Sequence, residues 1–99
     1  MREVEINGRS LRMAYNLRTL FVYEEIAGKP YTGQASIENY LLMYAMLLAN
    51  NKDLDMEFEE LIDACDKDMG LFAAFTEVIE EQARRVRAFA DNKKKAEAR

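Results

Sequence analysis

Residues 2–14 read REVEINGRSLRMA, and this stretch decides the fold class. On both sides of Asn7-Gly8, apolar residues alternate with charged or polar ones. Asn-Gly between two alternating runs predicts a β-hairpin, because a type I′ turn requires positive φ at both central residues. A two-stranded hairpin is marginally stable by itself, so its apolar face must pack on the segments that follow. That face consists of Val4, Ile6, Leu11 and Met13.

The segment after the hairpin carries signals for the start and the end of a helix. Asn16 is a typical N-cap residue. Gly28 fits the left-handed position just after a helix, and Pro30, two residues later, cannot continue one. The spacing predicts a helix over residues 17–27. The side chains expected to form its buried stripe are Leu17, Leu20, Phe21 and Ile26.

Three further helices are predicted downstream. Residues 37–49 are apolar on nearly every side, as in a helix covered by its neighbours, so we expect them to form the central helix. Residues 56–65 and 69–90 are amphipathic, with one apolar face each. Residues 91–99 contain only Asp, Asn, Lys, Ala, Glu and Arg, and we expect them to form a basic, disordered tail.

The 99 residues are enough for one modest core. The predicted fold class is α+β, mostly α: an N-terminal β-hairpin over residues 2–14, followed by four helices in a small bundle. These elements form a single domain over residues 1–90, with a helix content of about 60–65%, well above the usual fraction.

The composition excludes several classes of site. The chain has no histidine, and Cys65 is its one cysteine. An internal disulfide, a Cys/His zinc site and a histidine-based catalytic triad are therefore excluded. The first residues lack the apolar core of a signal peptide, and the longest apolar run, residues 40–49, is far shorter than the roughly 20 residues that span a bilayer. We expect a cytoplasmic protein with no membrane contact, no enzymatic activity, no metal and no cofactor.

Some residues could in principle form a metal site or a catalytic site, but a structural role explains each of them more simply. Asp66, Asp68 and Glu77 fall at positions 1, 3 and 12 of an EF-hand loop, but Leu71 stands where that loop requires glycine. For Glu24 we expect an ion pair with an arginine of the hairpin, such as Arg12, or a position at the rim of the core, rather than acid–base catalysis. Cys65 lies on an apolar stripe among acidic residues, which would raise the pKa of its thiol, so we expect it in the core.

Charge is distributed unevenly along the chain. Residues 1–83 carry a net charge of −9, and residues 84–99 carry +5. An acidic body repels a phosphate backbone, so nucleic acid is not an expected partner. The basic end fits a solvated helix C-terminus, where positive charge offsets the helix dipole, or a contact with nucleic acid or an acidic protein.

The last predicted helix is the candidate partner-binding element. At a rise of about 1.5 Å per residue, residues 69–90 span about 33 Å, so this helix should project beyond the core. Its apolar stripe continues along the projecting part, with arginines beside it. This pattern predicts a docking site for a second copy or for a helix of another protein, unless the hairpin or residues 31–35 fold over it. The predicted partner-binding residues are Ala83, Arg84, Arg85, Val86, Arg87 and Phe89.

The order of the elements and two short motifs are similar to a known family. The first helix ends in Tyr-Glu-Glu-Ile-Ala-Gly-Lys-Pro at residues 23–30, and the acidic third helix contains Phe-Glu-Glu-Leu-Ile-Asp at residues 58–63. With the N-terminal hairpin, the serine-capped apolar helix and the closing amphipathic helix, the chain resembles the small tail assembly chaperones of tailed bacteriophages and prophages. Residues 21–29 carry the resemblance best.

This resemblance implies a non-enzymatic protein in the cytoplasm of the bacterial host. Such chaperones hold the long tape-measure protein soluble until the tail tube polymerises around it. The implied partner is therefore the tape-measure protein or another tail component. The alternative interpretation is a small regulatory or adaptor protein that binds another macromolecule through its basic last helix.

Overall fold

The computed structural model describes residues 2–97 and, among these, the side chains of residues 2–88. It shows a two-stranded antiparallel hairpin followed by four helices, so the predicted α+β, mostly α fold class is confirmed. The molecule measures 52 × 27 × 25 Å along its principal axes. The elements are β1 (Arg2–Ile6), β2 (Arg9–Met13), α1 (Leu17–Ala27), α2 (Ser36–Asn50), α3 (Phe58–Lys67) and α4 (Gly70–Glu97).

The hairpin forms because Asn7-Gly8 favours a tight turn, and its apolar face holds it against the helices. Asn7 has a φ of 52° and Gly8 a φ of 79°, as a type I′ turn requires. Ile6, Leu11 and Met13 are buried in the core. The two strands therefore depend on the helices for their stability.

Two arginines on the same face of the hairpin tie its ends to the helices. Arg2 forms an ion pair with Glu77 of α4. Arg9 forms one with Glu60 of α3, with 2.7 Å between Nη2 and Oε2. These pairs are largely exposed, so they orient the hairpin more than they stabilise it.

The outer edge of β2 is paired with a side chain instead of a third strand. The Arg12 N–H donates to Asn51 Oδ1 at 2.8 Å, and Asn51 Nδ2 donates to the Arg12 carbonyl oxygen at 2.9 Å. The predicted ion pair between Arg12 and Glu24 is not formed. Glu24 is exposed and belongs to none of the three ion pairs among the described side chains.

The predicted ends of α1 are confirmed. The Asn16 side chain accepts a hydrogen bond from the Thr19 N–H at 3.0 Å, which caps the first turn. Gly28 has a φ of 73°, and its N–H donates to the Glu24 carbonyl oxygen at 2.8 Å. Both ends are therefore set by residues next to them in the sequence.

The predicted buried stripe of α1 is wrong. This helix packs on α2 mainly through a different face, on which Thr19 and Tyr23 are fully buried. Their polar groups are satisfied there, since the Thr19 hydroxyl donates to the Ala14 carbonyl oxygen at 3.2 Å. Leu20 is half-buried. The predicted core residues that are exposed instead are Leu17 (68%), Phe21 (59%) and Ile26.

The prediction that the second helix is central is confirmed. α2 packs on α1, β2 and α3. It starts at Ser36, one residue earlier than predicted, and no side chain caps its first turn. Its buried residues are Glu38, Leu42, Met43, Ala45, Met46 and Leu47.

The last two helices differ from the prediction at their ends. Met56, predicted to lie in the third helix, belongs to the preceding loop, where its side chain is buried and its carbonyl oxygen accepts from the Tyr44 hydroxyl. The fourth helix continues through Glu97, where the sequence predicts a disordered tail from residue 91. Lys, Ala and Glu favour helices and neither Gly nor Pro interrupts them. Residues 98–99 lie outside the described residues.

Candidate partner-binding surfaces

Glu38 is a buried carboxylate with a structural task. Its oxygens accept from the Thr32 N–H at 2.9 Å, from the Thr32 hydroxyl at 2.8 Å and from the Gly33 N–H at 3.3 Å. The Tyr23 hydroxyl donates to it at 3.4 Å. The hydrogen bonds from Thr32 hold the pKa of Glu38 below its usual value, although burial acts in the opposite direction. The carboxylate therefore secures the loop between α1 and α2 and is a poor candidate for acid–base catalysis.

The described residues offer neither a metal cluster nor an activated thiol. Among them, no three His, Cys, Asp or Glu side chains converge in a way that would hold a metal ion. Cys65 is buried, and burial raises the pKa of its thiol, with further increases from the carboxylates of Asp66 and Asp68. A thiol with a raised pKa is a poor nucleophile. Cys65 is therefore a packing residue of α3.

The predicted partner-binding residues lie on the part of α4 that leaves the body of the protein. Among the described side chains of α4, Val78 is the last one that is buried. Val86 is 58% exposed, and Arg85 forms an ion pair with Glu81 one turn earlier, at 2.9 Å. Phe89 lies outside the described side chains. The remaining predicted residues, all exposed, are Ala83, Arg84 and Arg87.

An open depression runs along this part of α4. It has a volume of about 380 Å³, and we call it the α4 groove. A second depression of about 310 Å³ shares Ile79 with it and is lined by Tyr31 and Phe72. The loop after α1 therefore reaches α4 as far as Ile79 and leaves Val86 open. The α4 groove is lined by Tyr15, Ile79, Gln82, Ala83, Val86 and Arg87.

A second apolar surface, which the sequence did not predict, lies between α2, α3 and the start of α4. It is an open groove of about 400 Å³, which we call the α2–α3 groove. Ile37 is 65% exposed and Met69 is 78% exposed. It is lined by Ile37, Tyr40, Phe58, Ile62, Cys65, Asp66 and Met69.

The sequence carried one signal for the α2–α3 groove. Residues 37–49 are apolar on more sides than the neighbouring elements of so short a chain can cover. This pattern predicted a helix covered on most sides, but Ile37 in the first turn of α2 is exposed. The sequence shows which residues of a helix are apolar. Whether other elements cover those residues depends on where the other helices end.

The two grooves differ in the charges beside them. The acidic segment next to the α2–α3 groove, residues 53–68, contains eight acidic residues and one basic residue. The segment of α4 that lines the α4 groove carries glutamates at residues 80 and 81 and arginines at residues 84, 85 and 87. Asp66 is the acidic residue that lines the α2–α3 groove, and Arg87 is the basic residue that lines the α4 groove.

Within residues 2–97, none of the helices combines the length and the apolar character that crossing a lipid bilayer requires. Comparisons with protein-family models, with curated proteins and with solved structures gave no match.

Proposed function

We propose that this protein is a tail assembly chaperone of a tailed bacteriophage or prophage. In this role it keeps the tape-measure protein soluble in the cytoplasm of the bacterial host while the tail assembles. The observation that carries the proposal is the α2–α3 groove, an open apolar surface on a small acidic protein. The resemblance of residues 21–29 and of the element order to such chaperones supports the same function.

The α2–α3 groove fits the apolar face of a client helix. Recognition of this kind places apolar side chains, spaced about one helical turn apart, into an apolar groove. Met69 at its edge has a flexible thioether side chain, which adapts to apolar groups of different shapes. A long helical client presents many such groups in turn, so an adaptable edge suits it better than a rigid pocket.

The charge beside the groove favours a client with basic residues flanking its apolar stripe. Residues 53–68 attract such residues and orient the approaching helix. The net charge of −9 over residues 1–83 also keeps a loaded complex soluble, because complexes of like charge repel one another.

The test is co-expression with the tape-measure protein encoded beside this protein's gene, followed by measurement of soluble tape-measure protein and by pull-down. We expect the wild-type chain to keep the tape-measure protein in solution. The double variant Ile37→Asp, Met69→Asp should reduce its recovery by about tenfold, because two charges would enter an apolar contact. Leu17→Asp is the control, because Leu17 is an exposed apolar residue outside the groove and outside residues 21–29.

Two results would contradict parts of this proposal. If the wild-type chain neither binds nor solubilises the tape-measure protein, the function is wrong. If the wild-type chain and the groove variant solubilise the tape-measure protein equally well, the proposed function stands. The assignment of binding to the α2–α3 groove is then wrong. Circular dichroism of each variant shows that helix content is retained.

The second candidate function is a small regulatory or adaptor protein that binds a macromolecule through its last helix. The exposed positions of Arg84, Arg85 and Arg87 favour it. In that case the triple change to alanine would abolish capture of the macromolecule, and the α2–α3 groove variant would leave capture intact.

A further inference from the structure

The face of α1 that points away from α2 is apolar at its centre and largely exposed. Leu17 is 68% exposed and Phe21 is 59% exposed. The helix packs mainly on α2, and its buried residues, Thr19 and Tyr23, lie on the side opposite Phe21 because an α-helix turns about 100° per residue. α1 is therefore an outer helix whose apolar outer face is open to a partner.

The charges along one edge of this face have opposite signs at its two ends. Arg18 and Glu25 are seven residues apart, which is close to two helical turns, so both lie on the same side of Phe21. Both are exposed, and neither takes part in the three ion pairs among the described side chains. Their midpoint along the helix falls between residues 21 and 22. A second α1 running in the opposite direction would therefore bring opposite charges together at both ends.

We propose that two copies of this chain form a dimer in which their α1 helices pack antiparallel through this face. The two-fold axis passes beside Phe21, between residues 21 and 22. A two-fold interface uses the same patch on both copies, so that patch must be complementary to itself. The dimer uses neither the α2–α3 groove nor the client proposed above.

The charges fix the direction in which the two helices pack. In the antiparallel arrangement the two-fold rotation leaves the charged edge on the same side of the interface in both copies. Arg18 of each copy therefore meets Glu25 of the other, which gives two pairs of opposite charge. In a parallel arrangement, Glu25 of each copy would instead lie beside Glu24 of the other. Exposed pairs of opposite charge add little affinity, but like charges in their place are unfavourable.

The alignment that pairs the charges also places the apolar side chains of the two helices against each other. Phe21 of one copy lies next to Phe21 of the other at the axis, where two aromatic rings can pack offset or edge to face. Leu17 of each copy points toward the end of the other helix, between Glu24 and Gly28. Gly28 leaves room there, since a Cβ added to it would meet no atom within 4 Å.

The test measures the mass of the full-length chain in solution by sedimentation velocity over a range of concentrations. We expect the wild-type chain to form a reversible dimer. Phe21→Asp should raise the dissociation constant by at least about tenfold, because two carboxylates would meet at the apolar centre of the interface. Val86→Asp is the matched control, because Val86 is 58% exposed and lies on α4, and this variant should leave the dimer intact.

Charge reversal tests the direction of packing. Arg18→Glu and Glu25→Arg should each raise the dissociation constant about threefold or more, since each brings like charges together. An equimolar mixture of these two variants should form a mixed dimer, because arginine then meets glutamate at both ends. The chain carrying both changes should form a dimer by itself. In parallel packing, Glu25→Arg would instead strengthen the dimer, because the new arginine would face Glu24.

Four outcomes would overturn the proposal. The first two are a wild-type chain that stays monomeric at every concentration, and a Phe21→Asp variant that dimerises as well as the wild type. The third is a double charge reversal that fails to restore the dimer while circular dichroism shows the wild-type helix content. The fourth is a dimer strengthened by Glu25→Arg. A monomeric wild-type chain that binds the tape-measure protein through Phe21 would assign this face to the client instead.

Discussion

Hydrogen bonds and burial act in opposite directions on the pKa of Glu38. Hydrogen bonds hold the pKa of Glu38 in the folded protein below its value in the unfolded chain. The carboxylate therefore contributes its full stability at a pH above the unfolded-state pKa. This contribution is lost as the pH falls through the folded-state pKa. Glu38→Gln should lower the urea midpoint at neutral pH, and this deficit should shrink on acidification. Glu25→Gln, at an exposed position, is the control. A deficit that stays constant in acid would contradict the assignment.

A second prediction concerns how fast the Cys65 thiol reacts. Burial and two neighbouring carboxylates raise its pKa and restrict access to it. We expect the folded protein to react with a thiol reagent about tenfold more slowly than the unfolded chain, or slower still, because the thiolate is the reactive species. The control is the same reaction in denaturant. Equal rates in both states would show that Cys65 is accessible and that its packing role is wrong.

At the scale of one element, α1 shows how a helix end depends on a single residue. Gly28 has a φ of 73°, and a Cβ added there would meet no atom within 4 Å. The penalty for Gly28→Ala is therefore conformational and should be about 1–2 kcal/mol of unfolding free energy. Gly28→Asn should lose less, because asparagine visits the left-handed region more readily. Denaturant unfolding measures both variants, and an equal loss in the two would contradict this cause.

At the scale of the whole molecule, the hairpin and the helices share one core. Met13 of β2 is fully buried, whereas Met69, the residue before α4, is 78% exposed. We expect Met13→Ala to lower the free energy of unfolding by about 2–5 kcal/mol and to shift the entire transition. Met69→Ala should change it by less than about 0.5 kcal/mol. A helix signal whose unfolding midpoint is the same in Met13→Ala as in the wild type would show that the hairpin unfolds separately from the helices.

The features that depend on neighbouring residues could be predicted from the sequence. Asn7-Gly8 selects a hairpin because its backbone angles suit the turn, and Asn16 and Gly28 mark the ends of α1 because they satisfy or redirect its terminal backbone groups. The exposed arginines of α4 were likewise predictable, since the helix is too long for a small core to cover. All of these signals act within a few residues of the feature that they specify.

Which faces of the helices are covered could not be predicted from the sequence, because it depends on how the elements pack. Leu17 and Phe21 are apolar but exposed, whereas Thr19 and Tyr23 are buried because α2 and the following loop supply partners for their hydroxyl groups. The α2–α3 groove is likewise a product of where three helices end. A side chain is buried only where a second surface contacts it. The periodicity of one segment identifies its apolar side chains, but it does not show which other elements contact them.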